Sequence, residues 1–369
     1  MEKLKRKKMY IMVNHSKAKD YDKKAVFKFA GAFIAWVIGS GFATGQETLQ
    51  FFTSFGKMSY AVLILNLIGF TFFAQYLLVT GYENKDNLPF SIFKHFCGKK
   101  LGSLYSGLIV ITLLLIMPVL IAGAGATLNE YYGINKYIGS AVMTVMVLAA
   151  YLIGFEKLVK VVSKLGPIII LFSLAVGIIT VFRDIDNFSN IERYESLLSE
   201  TRAAPNWFLS GILYLSLNFL SGGAYFAQLG ITANSRKEAK YGALLGSSAI
   251  ILTVLIMNTA MLLNAEEAAP LAIPVLYLAK KISYLFGAVF SIILILGMFS
   301  SCSAMMWSVC NGFNIGGARG NKLFAVLIAI FIFILGLFSF TELVGTFYPL
   351  VGYLGLVYMG CILYKRIKK

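Results

Sequence analysis

Apolar runs of about twenty residues recur along the whole chain, and that is the length an α-helix needs to cross a bilayer. Ten such runs are found, at 25–54, 58–81, 101–127, 135–154, 157–182, 207–233, 240–264, 282–310, 321–341 and 343–364. The segments between them are too short for a soluble domain of useful size. With 58% hydrophobic and 14% charged residues, the chain has about half the charge of a typical soluble domain. The pattern predicts an all-α membrane protein of ten transmembrane helices, named here spans 1 to 10 in chain order.

The net charge of +16 does not point to nucleic acid, because the bases recur in short segments between apolar runs. That distribution is a topology signal. With the N-terminus inside, 26 of the 33 Lys and Arg fall on the inner side and seven on the outer. Both termini are therefore expected in the cytoplasm. The N-terminal apolar run "MYIMV" is too short for a signal-peptide core.

Displaced so that Gly39 falls on Ser221, the two halves of the chain coincide element by element. Gln46 then falls on Gln228 and Pro167 on Pro349, and the inner loop 83–98 falls on the outer segment 266–281. Each half has five spans, an odd number, so the second is inverted relative to the first. The expected organisation is a basic tail 1–24, a five-helix repeat 25–182, an acidic outer loop 183–206, an inverted repeat 207–364 and a basic end 365–369.

Span 1 carries "GSGFATGQE" at 39–47 and span 6 carries "SGGAY" at 221–225. Glycines and a serine at mid-span lower helix propensity and leave local space unfilled. Unwound backbone at that depth is tolerated only beside a cavity. Helices 1 and 6 are therefore expected to be discontinuous, with their half-helix ends meeting in a pocket suited to a zwitterion. Gly39, Ser40, Gly41, Phe42 and Ala43, with Ser221, Gly222, Gly223 and Tyr225, are the candidate substrate-binding residues. The competing reading of each glycine cluster is close helix packing, and Gly41-x-x-x-Gly45 fits that pattern. Tyr214 and Asn218 on span 6 and Tyr105 on span 3 are further candidates to close over a solute, or to serve as packing.

Glu47 is the one carboxylate well inside any span, and an ionisable group there is a functional hypothesis by default. It can exchange a proton, receive an ammonium, or act with Gln46 in an outer gate; Gln228 is the repeat counterpart of Gln46. A structural tie to a neighbouring helix is the alternative. Carbonyls at the end of the inner half of span 1, around Val37, lie at the depth of Ser300, Ser301 and Ser303 on span 8. Hydroxyls and carbonyls together form an oxygen cage appropriate to sodium, although serines in membrane helices also bond to their own carbonyls. Lys157, Lys160 and Lys164 enter span 5 and are expected to snorkel. Lys164 is the deepest, and its ammonium at the serine cage would replace sodium.

The cysteines Cys97, Cys302, Cys310 and Cys361 and the histidines His15 and His95 match no metal spacing. No metal centre, cofactor or enzymatic constellation is expected beyond a coupling sodium ion or proton.

The stretch "VIGSGFATGQETLQFF" at 37–52 resembles the first-helix signature of the YkvI-like bacterial membrane proteins, and the general plan resembles the LeuT fold of the amino acid-polyamine-organocation superfamily. "GFEKLVKVVSKLGP" at 154–167 is similar to the start of helix 5 in sodium-coupled neurotransmitter symporters. The resemblance implies alternating access around a central site, with the Ser300–Ser301 pair at a sodium site and a bacterial cytoplasmic membrane as the location. It covers nearly the whole chain, while its sharp motif is the single stretch in span 1.

The expected function is secondary active transport of a small organic solute, an amino acid or related zwitterion, driven by sodium or protons. A bundle of spans 1, 2, 6 and 7 would rock against the rest. The first rival is a non-transporting membrane receptor for a small nutrient, similar to germinant-receptor components. A channel is the second, but no ring of charges lines a continuous path.

Overall fold

The computed structural model describes residues 21–37, 40–86, 91–153, 165–313 and 317–368. Among these residues the chain is helical, with no β-strand. Eight helices are long and apolar enough to cross a membrane, and Gly320–Leu335 is a shorter apolar helix. The segment expected as span 1 is described as Lys23–Val37, Ser40–Ala43 and Gln46–Phe51, with a turn between the last two.

The helices at the places expected for spans 2 to 10 are Ser59–Glu83, Ile92–Tyr132, Lys136–Ile153, Leu165–Asp184, Trp207–Ile231, Arg236–Leu262, Tyr284–Phe313, Gly317–Leu335 and Phe340–Ile367, and they keep those span numbers below. Local chemistry marks their ends. Asn206 caps span 6 by accepting from Leu209 N at 2.9 Å, and Ser235 caps span 7 by accepting from Glu238 N at 3.1 Å. Span 3 ends at Gly133, whose φ of 69° lets its N–H reach Asn129 O.

Lipid tails are as apolar as leucine, so the helices are held together by close packing and buried polar contacts rather than by escape from water. Spans 2 and 6 touch backbone to backbone. A Cβ at Gly81 would land on Ala227 O, and one at Gly230 on Leu78 O. Gly242 and Gly246 of span 7 receive Phe29 and Phe33 of span 1 in the same way. Phe33 in turn packs edge-on against Phe226 with centroids 4.8 Å apart. Asn258 of span 7 bonds Ser59 Oγ at 2.8 Å and accepts from Thr53 Oγ1 at 2.9 Å, tying the span 1–span 2 corner to span 7. Large apolar side chains such as Ile64, Ile153 and Phe182 face outward, where a bilayer covers them.

The interruption of span 1 agrees with expectation in kind but its described turn lies at Thr44–Gly45, outward of 39–42. Gly45 has φ 92°, a left-handed conformation that glycine adopts without penalty. The expected break in span 6 is absent: Trp207–Ile231 is one continuous helix. The Ser221 hydroxyl donates to Leu217 O at 2.8 Å, bonding back onto its own helix.

Candidate functional site

A cavity of about 120 Å³ lies where the interrupted span 1 meets spans 3, 6, 8 and 10. At roughly 10–15 Å³ of such volume per water, it suits a solute of about ten non-hydrogen atoms. Its apolar wall comes from Leu113, Ile116 and Leu120 of span 3, Leu217 of span 6 and Met305 of span 8. The polar lining consists of Gly41 and Glu47 on span 1, Asn218 and Ser221 on span 6, Ser301 on span 8 and Tyr348 on span 10.

Glu47 is the charged residue of this lining, and 9% of it is exposed. Its carboxylate forms no hydrogen bond or ion pair with any described residue. The first turn of the outer half-helix carries it back over Gly41, where an added Cβ would stand 2.7 Å from Glu47 Oε1 and 3.1 Å from Tyr348 OH. Gly41 is thus the space into which the carboxylate fits. Asn218 Nδ2 donates to Tyr214 O at 2.9 Å, which leaves its carboxamide oxygen as a second acceptor. Every polar side chain named here can accept a hydrogen bond, and none of the described ones is cationic.

Gly41→Ala should therefore lower solute affinity about tenfold, the cost of pushing a carboxylate off its position by one methyl. The melting temperature without solute should stay near wild type. Isothermal titration beside a thermal melt separates the two.

The side of the cavity remote from the basic termini, expected to be the outer one, is sealed. Gln46 Nε2 donates to Leu271 O at 2.6 Å and its Oε1 accepts from Gln50 Nε2 at 3.0 Å; Gln50 also reaches Thr341 O at 2.9 Å. Val275 N donates to Thr44 O at 3.1 Å, and Gln46 N to Thr44 Oγ1 at 3.3 Å. These peptide groups of the break are therefore paired within the protein instead of facing a solute. Glu130, at the outer end of span 3, accepts from Ala272 N and Ile273 N at 2.7 and 3.0 Å and holds the plugging loop in place. The loop 185–206 lies over the same end, with Ala203 N on Gln50 O at 3.1 Å and Arg202 Nε on Ser54 O at 3.1 Å. Toward the basic end, by contrast, Trp36, Ser301 and Met305 are partly exposed.

Of the sequence-predicted residues, Gly41, Ser221, Asn218, Glu47, Val37 and Ser301 share this cavity, while Tyr214 is fully buried outside its lining. Gly39 and Lys164, with Lys157 and Lys160, lie outside the described residues, as does the side chain of Ser40. Phe42 and Ala43 are fully buried in helix packing instead of lining the cavity. Gly222 is occupied by close approach of the Trp36 indole, and Gly223 by the Tyr358 hydroxyl, so both serve packing. Tyr225 stacks on Trp36 with centroids 4.7 Å apart and donates to Ala32 O at 3.2 Å, away from the cavity lining. Gln228, one and more turns further inward, is exposed and does not take part in a gate with Gln46. Ser300 is half-buried and outside the lining, while Ser303 is buried with no hydrogen-bond partner for its hydroxyl among the described residues. Tyr105 donates to Leu354 O at 2.9 Å and belongs to a separate aromatic cluster with Phe93 and Tyr358.

Tyr348, Met305 and Glu130 were missed. Tyr348 had one usable signal, its place beside Pro349, the repeat counterpart of Pro167. Met305 and Glu130 had none, since each is ordinary for its position in a span.

Comparison with known proteins finds likenesses over nearly the whole chain. The uncharacterized membrane protein YkvI of Bacillus subtilis is 24% identical over 363 residues, covering 94% of this chain and 98% of that protein. The chain is a homologue of YkvI. The uncharacterized protein YyaD of the same organism is 22% identical over 342 residues, covering 92% of the chain and 96% of YyaD. No protein-family model matches the chain. Among solved structures, this YkvI homologue superposes on MhsT in complex with L-phenylalanine with a TM-score of 0.60 at 15% identity, covering 92% of the chain and 90% of MhsT. It also superposes on the inward-facing conformation of Mhp1 with a TM-score of 0.52 at 15% identity, covering 89% and 73% of the two chains. Both are LeuT-fold transporters, so the YkvI homologue is a multi-pass membrane protein with the LeuT fold.

Proposed function

We propose that the protein is a secondary active transporter that moves a small amine-bearing solute, an amino acid or close relative, by ion-coupled alternating access. The observation that carries this reading is Glu47: a buried carboxyl group without a partner among the described residues, facing a cavity of solute size beside the interruption of span 1. A carboxylate taken out of water is costly until a cation is supplied. An ammonium would supply it, with Asn218, Ser221 and Tyr348 as further acceptors and the leucines of spans 3 and 6 against an apolar body. The likeness to MhsT, which holds L-phenylalanine in its solved structure, supports the same substrate class.

The ten-span, five-plus-five plan belongs to this proposal, with repeats at 25–182 and 207–364 and both termini in the cytoplasm of a bacterial cell. It is supported by the accessory helical segments that open at Ile92 and Pro274, which keep the displacement relating Gly39 to Ser221. For the coupling ion we propose sodium or a proton. Val37 and Ser301 on one cavity wall, and the Ser303 hydroxyl, buried without a partner among the described residues, favour a cation held by oxygen atoms on that side. The sealed outer side and the partly exposed inner lining describe one end state of the cycle, in which solute exchanges with the side of the basic segments.

The deciding experiment is purified protein in liposomes, with a panel of amino acids and amines tested under sodium and proton gradients. Accumulation that collapses when one gradient is dissipated is the expected result. Specific binding without accumulation would make the protein a receptor. No ligand-dependent stabilisation across the panel would remove the substrate class.

A further inference from the structure

Span 7 begins with "SRKEAKY", and only one of its charged residues faces the protein. Glu238 is 3% exposed and its carboxylate accepts from Asp22 N at 3.2 Å and Asn234 N at 2.9 Å. Arg236, Lys237 and Lys240 are turned outward instead. These three cations add positive charge at the positive end of the helix dipole, a place that favours a further anion.

A fourth cation arrives from span 10. Arg366, in the last turn of span 10, lies over the Tyr76 ring of span 2 at 5.4 Å. Together these residues enclose a cavity of about 490 Å³ with Gln75, Tyr76 and Tyr241. Glu83 stands 3.2 Å from Arg236 Nε at the edge of this group. The Tyr76 hydroxyl is buried with no hydrogen-bond partner among the described residues. The floor is apolar, formed by Phe72 and Val79. From Phe72 (37% exposed) an outward stripe continues along span 2 through Ile68 (64%) and Ile64 (63%), four residues apart on one helix face.

We propose that this pocket binds the phosphate headgroup of an anionic phospholipid from the leaflet on the basic side, its acyl chains running along Phe72, Ile68 and Ile64. The cations recognise the phosphate, a chemistry that free phosphate shares. The apolar floor and stripe are what select a lipid, since a soluble anion has no use for them. The site joins span 10 to spans 2 and 7, so an occupied pocket bridges helices that alternating access would move against each other. It stands independently of the solute cavity.

The test uses the full-length protein in a neutral detergent, titrated with phosphatidylglycerol, phosphatidylcholine or inorganic phosphate while its melting temperature is followed. Phosphatidylglycerol should raise the melting temperature saturably, and the other two should not. Lys240→Gln with Arg366→Gln should weaken the half-saturating concentration about 25-fold, at roughly fivefold for each removed charge. Both positions are exposed, and an unchanged melting temperature without lipid confirms that the variant folds. Should it melt early, Lys237→Gln with Lys240→Gln takes its place. Equal stabilisation by phosphatidylcholine, equal stabilisation by inorganic phosphate, or an unshifted titration in a folded variant would each overturn the proposal.

Discussion

Glu47→Gln is expected to abolish solute binding and uptake while leaving the solute-free protein at least as stable as wild type. A buried ammonium–carboxylate pair that loses one partner costs about 3–5 kcal/mol, or roughly a hundredfold to several thousandfold in affinity. The direction of the stability change is the more telling readout. Were the carboxylate a structural tie between helices, removing its charge would destabilise the fold. Glu47 has no such tie among the described residues, so an amide of the same shape breaks no described contact. Ligand-dependent melting and liposome uptake measure the two effects separately. A variant that melts markedly earlier and still binds solute would return Glu47 to a structural role.

The second large effect is expected from Gly81→Ala and Gly230→Ala, where spans 2 and 6 cross with no side chain between them. Alanine in a helix normally stabilises by about 0.5–1 kcal/mol over glycine. Here the new methyl meets a carbonyl of the facing backbone, Ala227 O or Leu78 O, which cannot rotate aside. Overpacking of this kind costs about 1–3 kcal/mol and more where backbone must move, so each variant should melt several degrees below wild type. Gly107→Ala on span 3, with nothing within 4 Å of the added Cβ, is the control and should be neutral or slightly stabilising. Equal melting of the control and the two crossing variants would show that spans 2 and 6 are not locked at this contact.

Glycine, the residue that most guided the reading of function, is also where sequence and structure part. The clusters at 39–41 and 221–223 read alike, yet Gly41 makes room for a carboxylate and Gly223 makes room for the Tyr358 hydroxyl. Both uses remove a side chain and lower helix propensity by the same amount, so nothing local separates them. Glu47 was legible because a carboxylate inside an apolar run is costly wherever it ends up. Gln228 looked equivalent to Gln46 by displacement, but one faces Leu271 across the outer seal and the other faces out of the inner half of span 6. An inverted repeat preserves helix order without preserving each partner, since the two halves meet different neighbours at their ends.

The sequence by itself determined a bundle of membrane-crossing helices and the presence of a carboxylate within it. Hydrocarbon thickness and the need to pair every peptide group leave an apolar run of twenty residues few other solutions. Only the tertiary structure decided that span 6 runs unbroken, that Tyr348 and Asn218 join Glu47 around one cavity, and that Gln46 and Glu130 hold the outer seal. Those outcomes depend on which atoms stand across the interface, and a helix carries no record in its own residues of what will be packed against it.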